Sequence, residues 1–398
     1  MITVEQAFAI LDAAVAAGGS EEIPVAEAVG RVLARDVQSD VDWPPFDTSA
    51  MDGYAVRLAD VPAAGTALRE REETVAAGDL AGEALQTGEG VRVMTGAPLP
   101  PGTEAIVPVE HVRREGGRVR LDVRPEAGAH IRRRGESVAR GAALLSAGRR
   151  LSPAEVALAA LAGADPVDVV AKPRVLVAVT GNELVPSSER PPEGKLRDSN
   201  GPLLLSLCRR GAWPARSIAA VRDDPADVER LFAETRPEEF LVTSGGVSAG
   251  DHDLLPRAAQ QAGFELLFHK VAVRPGRPIA FGRRDGCFWF GLPGNPVSAS
   301  VGFQLFVRYA LDRREGSLQP GAPRLLARLA KPVRGGTRET YRDAALHEED
   351  GENLVEPIRT AGSHDIAAHA RANALIRMPA GSGELSAGSL VQCLRLDS

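Results

Sequence analysis

Cysteine is scarce in this 398-residue sequence: it occurs three times, at Cys208, Cys287 and Cys393, and never as C-x-x-C. That spacing argues against a disulfide framework and against a thiolate zinc site. The seven histidines show no H-E-x-x-H spacing either. Lysine is almost as rare, confined to Lys172, Lys195, Lys270 and Lys331, so nearly all basic charge is arginine. A codon or thermal bias is the plainer reading of that preference, ahead of a functional one. Aromatics make up only 4% of the chain, which leaves Val, Leu and Ala to build the core. No stretch of 18 apolar residues exists to cross a bilayer as a helix. The amino terminus lacks the basic and apolar regions of a signal peptide, so a cytoplasmic location is expected. A net charge of −6 offers no large basic face, which speaks against nucleic-acid or membrane-surface binding.

What is present is a chain long enough for several cores, rich in Gly (41) and Pro (29). Thr3-Val4-Glu5-Gln6 has the form of a capping box, and Val4, Phe8, Leu11 and Val15 follow at helical spacing. A second short helical stretch is expected around Val25–Leu33. From about residue 50 to 145 short apolar runs alternate with Gly, Pro and Asp turns, the texture of a β insert. Ser152-Pro153 then starts another helix. Residues 173–315 alternate strand and helix, and the nearly continuous apolar run Val175–Val179 suits a strand buried on both faces. The last 80 or so residues return to short β runs. The fold class is therefore multi-domain α/β. Its expected parts are a discontinuous helical domain (1–45 plus 146–172), an inserted β domain (46–145), a doubly wound α/β domain (173–315) and a C-terminal β-barrel domain (316–398).

Chemistry concentrates in the α/β segment, because ligands of open α/β sheets sit beyond the carboxyl ends of strands. Thr243-Ser244-Gly245-Gly246-Val247-Ser248 is a strand end running into small residues, where free N–H groups can form an anion nest. Asp251 and Asp253 follow, as Mg²⁺-binding oxygens or as ordinary helix-capping carboxylates. Glu183, after Thr180, would project at the same sheet edge. Lys270 and Arg274 supply cations nearby, where they could hold an oxyanion. Pro293-Gly294-Asn295-Pro296 reads as a turn and helix start, with Asn295 as cap and the positive helix end facing the same crevice. Outside this segment, Asp52-Gly53 is a hairpin pair. In an alternating strand Arg132 and Arg134 would share one face, as phosphate contacts or as a solvated edge.

Nine stretches carry a resemblance: SAMDGYAV (49–56), MTGAPLP (94–100), IRRRGE (131–136), TGNEL (180–184), LRDSN (196–200), TSGGVSAGDHD (243–253), RPGRP (274–278), GLPGNPVSAS (291–300) and GSHD (362–365). In this order they resemble the molybdopterin molybdenumtransferases, called MoeA in bacteria and the E domain of gephyrin in animals. The resemblance implies four domains and a homodimer whose active sites are completed by the partner chain. It implies that molybdate is inserted into adenylylated molybdopterin with release of AMP. Asp52, Glu183, Asp223, Asp253, Lys270 and Arg274 are the implied catalytic set, with Glu183 and Asp253 as Mg²⁺ ligands. Thr95, Arg132, Thr180, Ser244, Gly245, Gly246, Ser248, Asp251, Pro293, Gly294, Pro296 and Ser363 are the implied substrate contacts. Molybdoenzymes and the preceding adenylyltransferase are candidate further partners.

Three positions depart from the family pattern. Ser137 stands where Asp is usual after the Gly-Glu of IRRRGE, Arg274 and Arg277 replace lysines, and Asn182 replaces a frequent Asp. The competing readings are the adenylyltransferase itself, a tungsten-inserting paralogue and a receptor-clustering scaffold. The SAMDGYA segment and the multi-domain flanks weigh against the first. The lack of a fused companion domain weighs against the last.

Overall fold

The computed structural model describes residues 1–398 apart from 219, 237–238, 248–253 and 397–398. The chain forms two compact units, one of residues 1–21, 148–150 and 169–398, the other of residues 22–147 and 151–168.

In the first unit, six strands form one sheet: β1 (Arg174–Val179), β2 (Ala215–Ser217), β3 (Glu239–Ser244), β4 (Glu265–His269), β5 (Ala280–Arg284) and β6 (Cys287–Leu292), in the order β2-β1-β3-β6-β5-β4. The pairings from β2 to β6 are parallel, while β5 runs antiparallel to both β6 and β4. The hairpin at Asp285-Gly286, both at positive φ, turns one edge of the sheet antiparallel. Alternate residues of β1 and β3 face opposite cores. Val175, Val177, Phe240 and Val242 join one apolar cluster, and Leu176, Ala178 and Leu241 join the other.

Helices cover both faces. Asn200–Arg210 (α2) and the run from Pro296 to Arg314 lie against the first cluster, with α1 (Val4–Ala14) beside them. Pro225–Ala233 (α3) and Leu254–Gln261 (α4) lie against the second. The expected capping box of α1 is present: Thr3 Oγ1 accepts from Gln6 N–H, and Gln6 Oε1 accepts from Thr3 N–H. Phe8 of α1 packs on Phe306 and Tyr309, with ring centroids 5.6 and 4.7 Å away.

The C-terminal strands β7 (Arg324–Leu329), β8 (Glu339–Glu349), β9 (Glu352–Pro357), β10 (Ala374–Met378) and β11 (Leu390–Arg395) close into a five-stranded barrel, because β8 pairs with both β9 and β10. Closure leaves no free edge within the ring. The short strand Val273–Arg274 adds to β8 and so joins the RPGRP loop to the barrel.

The second unit holds a six-stranded sheet in the order 105–108, 53–56, 89–93, 67–75, 118–121, 112–115. Its helix Pro153–Leu161 starts with the expected Ser152 N-cap, which the Glu155 side chain completes into a capping box. The stretch expected to be helical over Val25–Leu33 makes only a 3₁₀ turn at Val25–Glu27, because Gly30 takes a φ of +74° and leaves the helical path.

Candidate active site

The strands β1, β3 and β6 end side by side, with Val179 opposite Ser244 and Ser244 opposite Leu292. The loops leaving them therefore meet at one sheet edge. Thr180 N–H donates to Ser244 O, and Gly245 N–H donates to Leu292 O. At a φ of +102°, a Cβ on Gly245 would lie 2.4 Å from Thr180 O, so only glycine allows the two loops to approach this closely.

Outside this edge lies a cavity of about 790 Å³. Thr180, Glu183, Asp223, Ser244, Gly245, Gly246, Pro293, Gly294, Pro296 and Ser363, all expected from the sequence, line it together. Asn200, at the start of α2, organises its floor. Its Nδ2 donates to Ser244 Oγ (2.9 Å) and to Gly294 O (2.7 Å), while Ser244 Oγ donates to Pro293 O. A carbonyl can only accept, so this fixes the amide orientation and turns Oδ1 away from both partners. Among the described residues, Asn200 Oδ1 and Thr180 Oγ1 are buried without a hydrogen-bond partner, and both residues line the cavity. Buried polar atoms left unpaired are costly, so both atoms are open to a partner from the cavity.

Glu183 and Asp223 bring carboxylates to the same cavity. Burial, with the nearby charge of Glu183, lifts the Asp223 carboxyl above its ordinary range, against a hydrogen bond from Asn182 N–H. Ser248, Asp251 and Asp253 lie outside the described residues.

The helix start behaves differently from expectation. Asn295 occupies the N-cap position of Pro296–Gly302, but its side chain makes no capping bond. It donates instead to Ser363 Oγ at 3.0 Å, and Val297 N–H donates to Ser363 O. One of the helix's free first-turn donors is thus taken by the GSHD loop of the barrel.

A second cavity of about 600 Å³ adjoins the first, the two sharing Gly276, Ser298 and Ser363. Arg274, Arg334, Arg338 and Arg342 line it, and among the described residues none of the four forms an ion pair with a carboxylate. Burial and then the charges of Arg277 and Arg274 lower the pKa of Arg338. Lys270, by contrast, is not among the residues lining either cavity; it stands at a φ of +74° with its N–H on Ile279 O.

In the second unit, Asp52 Oδ1 accepts from both Thr95 N–H and Thr95 Oγ1–H at 2.7 Å. The hydroxyl bond first, then the amide bond, holds the Asp52 carboxyl below its usual range. Thr48–Ser49 pairs with Ile131–Arg132, which brings Arg132 to the same segment. The strand stops at Arg132, however, because Arg133–Glu136 is a turn. Arg134 therefore does not share a strand face with Arg132: it pairs with Asp42, and Arg133 pairs with Asp47. Among the described residues Arg132 has no ion-pair partner.

Asn200, Ser298, Arg334, Arg338 and Arg342 were not singled out as site residues from the sequence. The last two flank the start of the strand Glu339–Glu349, and nothing marks them in a chain where arginine is common throughout.

Comparison with known proteins agrees with this architecture. Three family models match in order: "MoeA N-terminal region (domain I and II)" over residues 2–163, "Probable molybdopterin binding domain" over 176–313, and "MoeA C-terminal region (domain IV)" over 326–396. The molybdopterin molybdenumtransferase of Bacillus subtilis is 32% identical over 389 residues, covering 95% of this chain and 90% of that protein. Molybdopterin molybdenumtransferase 2 of Mycobacterium tuberculosis is 36% identical over 385 residues, 93% of each. The crystal structure of the molybdopterin biosynthesis MoeA protein from Pyrococcus horikoshii superposes with a TM-score of 0.82 at 29% identity, covering 99% of this chain and 100% of that one. The chain belongs to the molybdopterin molybdenumtransferase (MoeA) family.

Proposed function

We propose that this protein is a molybdopterin molybdenumtransferase, inserting molybdate into adenylylated molybdopterin with release of AMP. The observation that carries this reading is the pair of adjoining cavities, one lined by small polar residues and carboxylates, the other by four arginines that have no carboxylate partner among the described residues. Two substrates of different chemistry fit such a pair. The sheet-edge cavity has a wall without side chains at Gly245 and Gly246 that phosphates can approach closely, and unmet groups at Asn200 and Thr180 for a donor-bearing ring or sugar. The arginine cavity suits a tetrahedral dianion, since guanidinium forks bind oxyanions and the mutual repulsion of the arginines is relieved by one. Ser298 and Ser363, at the shared border, stand where the two substrates would meet.

Mg²⁺ fits the first cavity. Glu183 and Asp223 are hard oxygen donors on one cavity; burial first, and then the charge of Glu183, raises the pKa of Asp223, and a divalent cation would offset both. Asp253 is the further candidate ligand. When bound, the ion would neutralise phosphate charge. The chain's own groups then hold the nucleotide at the glycine loop and fix the oxyanion beside it. As a homodimer, each cavity would receive Asp52, Thr95 and Arg132 from the second copy, with Asp52 already held ionised by Thr95. A cytoplasmic setting accords with the absence, among the described residues, of a helix long and apolar enough to cross a membrane.

The test is a single-turnover reaction of the purified protein with adenylylated molybdopterin, Mg²⁺ and low molybdate. AMP and the molybdenum cofactor should appear together, and both should be lost in Asp223→Ala. AMP released only with tungstate would reassign the metal. No AMP with either oxyanion would overturn the enzymatic reading.

A further inference from the structure

A buried relay joins the barrel to the helix that starts at Pro296, and the reaction outlined above does not use it. His369, at the end of the short helix Ile366–His369 and 8% exposed, has Nδ1 2.7 Å from Asp343 Oδ1 and Nε2 2.8 Å from Ser300 Oγ. A carboxylate has no proton to give, so Nδ1 carries the ring proton toward Asp343; in the neutral ring the Ser300 hydroxyl donates to Nε2. Ser300 lies on the helix whose first turn carries Ser298, at the border of the two cavities.

Asp343 is the reason the relay matters. It lines the arginine cavity and, among the described residues, is the only acidic one to do so. It is paired with His369 and with none of the four arginines. A carboxylate in that position is an internal competitor for the guanidinium donors that would otherwise bind an incoming anion. Its Oδ1 is held by His369, which turns the carboxylate toward the relay rather than toward the guanidinium donors.

We propose that the Ser300–His369–Asp343 relay is a positioning device, sequestering the Asp343 carboxylate so that the arginine cavity stays open to a tetrahedral dianion of the molybdate class. His369 is thereby a determinant of oxyanion affinity rather than a catalytic residue. The inference rests on the reading that the arginine cavity takes the oxyanion.

The experiment measures kcat and the KM for molybdate in AMP release by the full-length protein. His369→Gln is expected to raise the molybdate KM roughly tenfold, leaving kcat within about twofold, because binding and not chemistry is affected. Adding Asp343→Asn to the same chain should bring KM back to within about threefold of wild type, since an uncharged amide no longer competes with the anion. Simple packing damage would not be repaired by altering a second buried hydrogen-bonding group. Ser300→Ala should shift KM the same way by a smaller factor, roughly threefold, and keeps the test available if His369→Gln fails to fold. An unchanged KM in both single variants, or a raised KM that Asp343→Asn worsens, overturns the proposal. Arg338→Ala separates the two levels. If it leaves the molybdate KM unchanged, the arginine cavity is not the oxyanion site and both readings fall. If it raises KM while His369→Gln and Ser300→Ala do not, only the relay proposal falls.

Discussion

At the scale of single residues, the site's most informative group is Asn200, which the sequence shows only as the last letter of LRDSN. An asparagine ahead of a helix reads as a cap, and nothing in one dimension says that its amide bonds Ser244 and Gly294, 44 and 94 residues away. Thr180 and Ser244 were legible because they end apolar strands, and sheet topology alone sends such ends to the ligand edge. Asn200→Leu removes the unmet acceptor along with both donor bonds, and should raise the KM for the adenylylated substrate roughly tenfold, an amount ordinary for one or two lost polar contacts. A second residue-scale prediction concerns Asp312. It sits between Arg150 (2.8 Å) and Gly321 N–H (2.9 Å), yet burial pushes its carboxyl up to about 6 from an ordinary value near 3.8. A raised folded-state pKa means that stability is fully present below the unfolded value and is lost as pH rises through about 6. The stability of wild type relative to Asp312→Asn should therefore increase as pH falls from 7 to 4, by on the order of 1–3 kcal/mol, read from paired denaturant titrations.

Elements were legible where apolar pattern and burial agree, and illegible where they part. The strand whose end was expected at Thr243-Ser244 spans Glu239–Ser244, fully buried. The nine-residue strand Ala67–Val75 was missed because it reads ALREREETV, with no apolar alternation. Its charges are paired across the sheet instead: Arg69 and Arg71 both reach Glu89, and Glu70 accepts from Tyr54 Oη. The long barrel strand Glu339–Glu349 was missed for the same cause, its polar face carrying Arg342 toward the arginine cavity and its tail being exposed. The loop after β3 carries the element-scale prediction. Gly245→Ala would force a Cβ against Thr180 O at a φ of +102°, so a loss of about 2 kcal/mol or more in stability is expected, with substrate binding impaired in whatever protein folds. A Tm within a degree of wild type together with full activity would show that the two loops can part without cost.

For the whole molecule, the succession of a β segment, an α/β segment and a C-terminal β segment was legible because composition changes with each, whereas the arginine cavity depends on the barrel meeting the RPGRP loop, a long-range contact with no local signal. If Asp52 serves a second copy's cavity, inactive Asp52→Ala and Asp223→Ala chains, co-expressed, should regain about a quarter of wild-type turnover, because half the dimers are mixed and each mixed dimer has one intact site. No recovery in verified mixed dimers would place both residues in the same chain's site. The central claim, that two adjoining cavities hold two different substrates, is tested most directly by measuring both Michaelis constants in Arg342→Ala and in Asn200→Leu. The account predicts a crossed result: Arg342→Ala raises the molybdate KM and spares the nucleotide KM, and Asn200→Leu does the reverse. Both constants moving together in both variants, or neither moving, would contradict it.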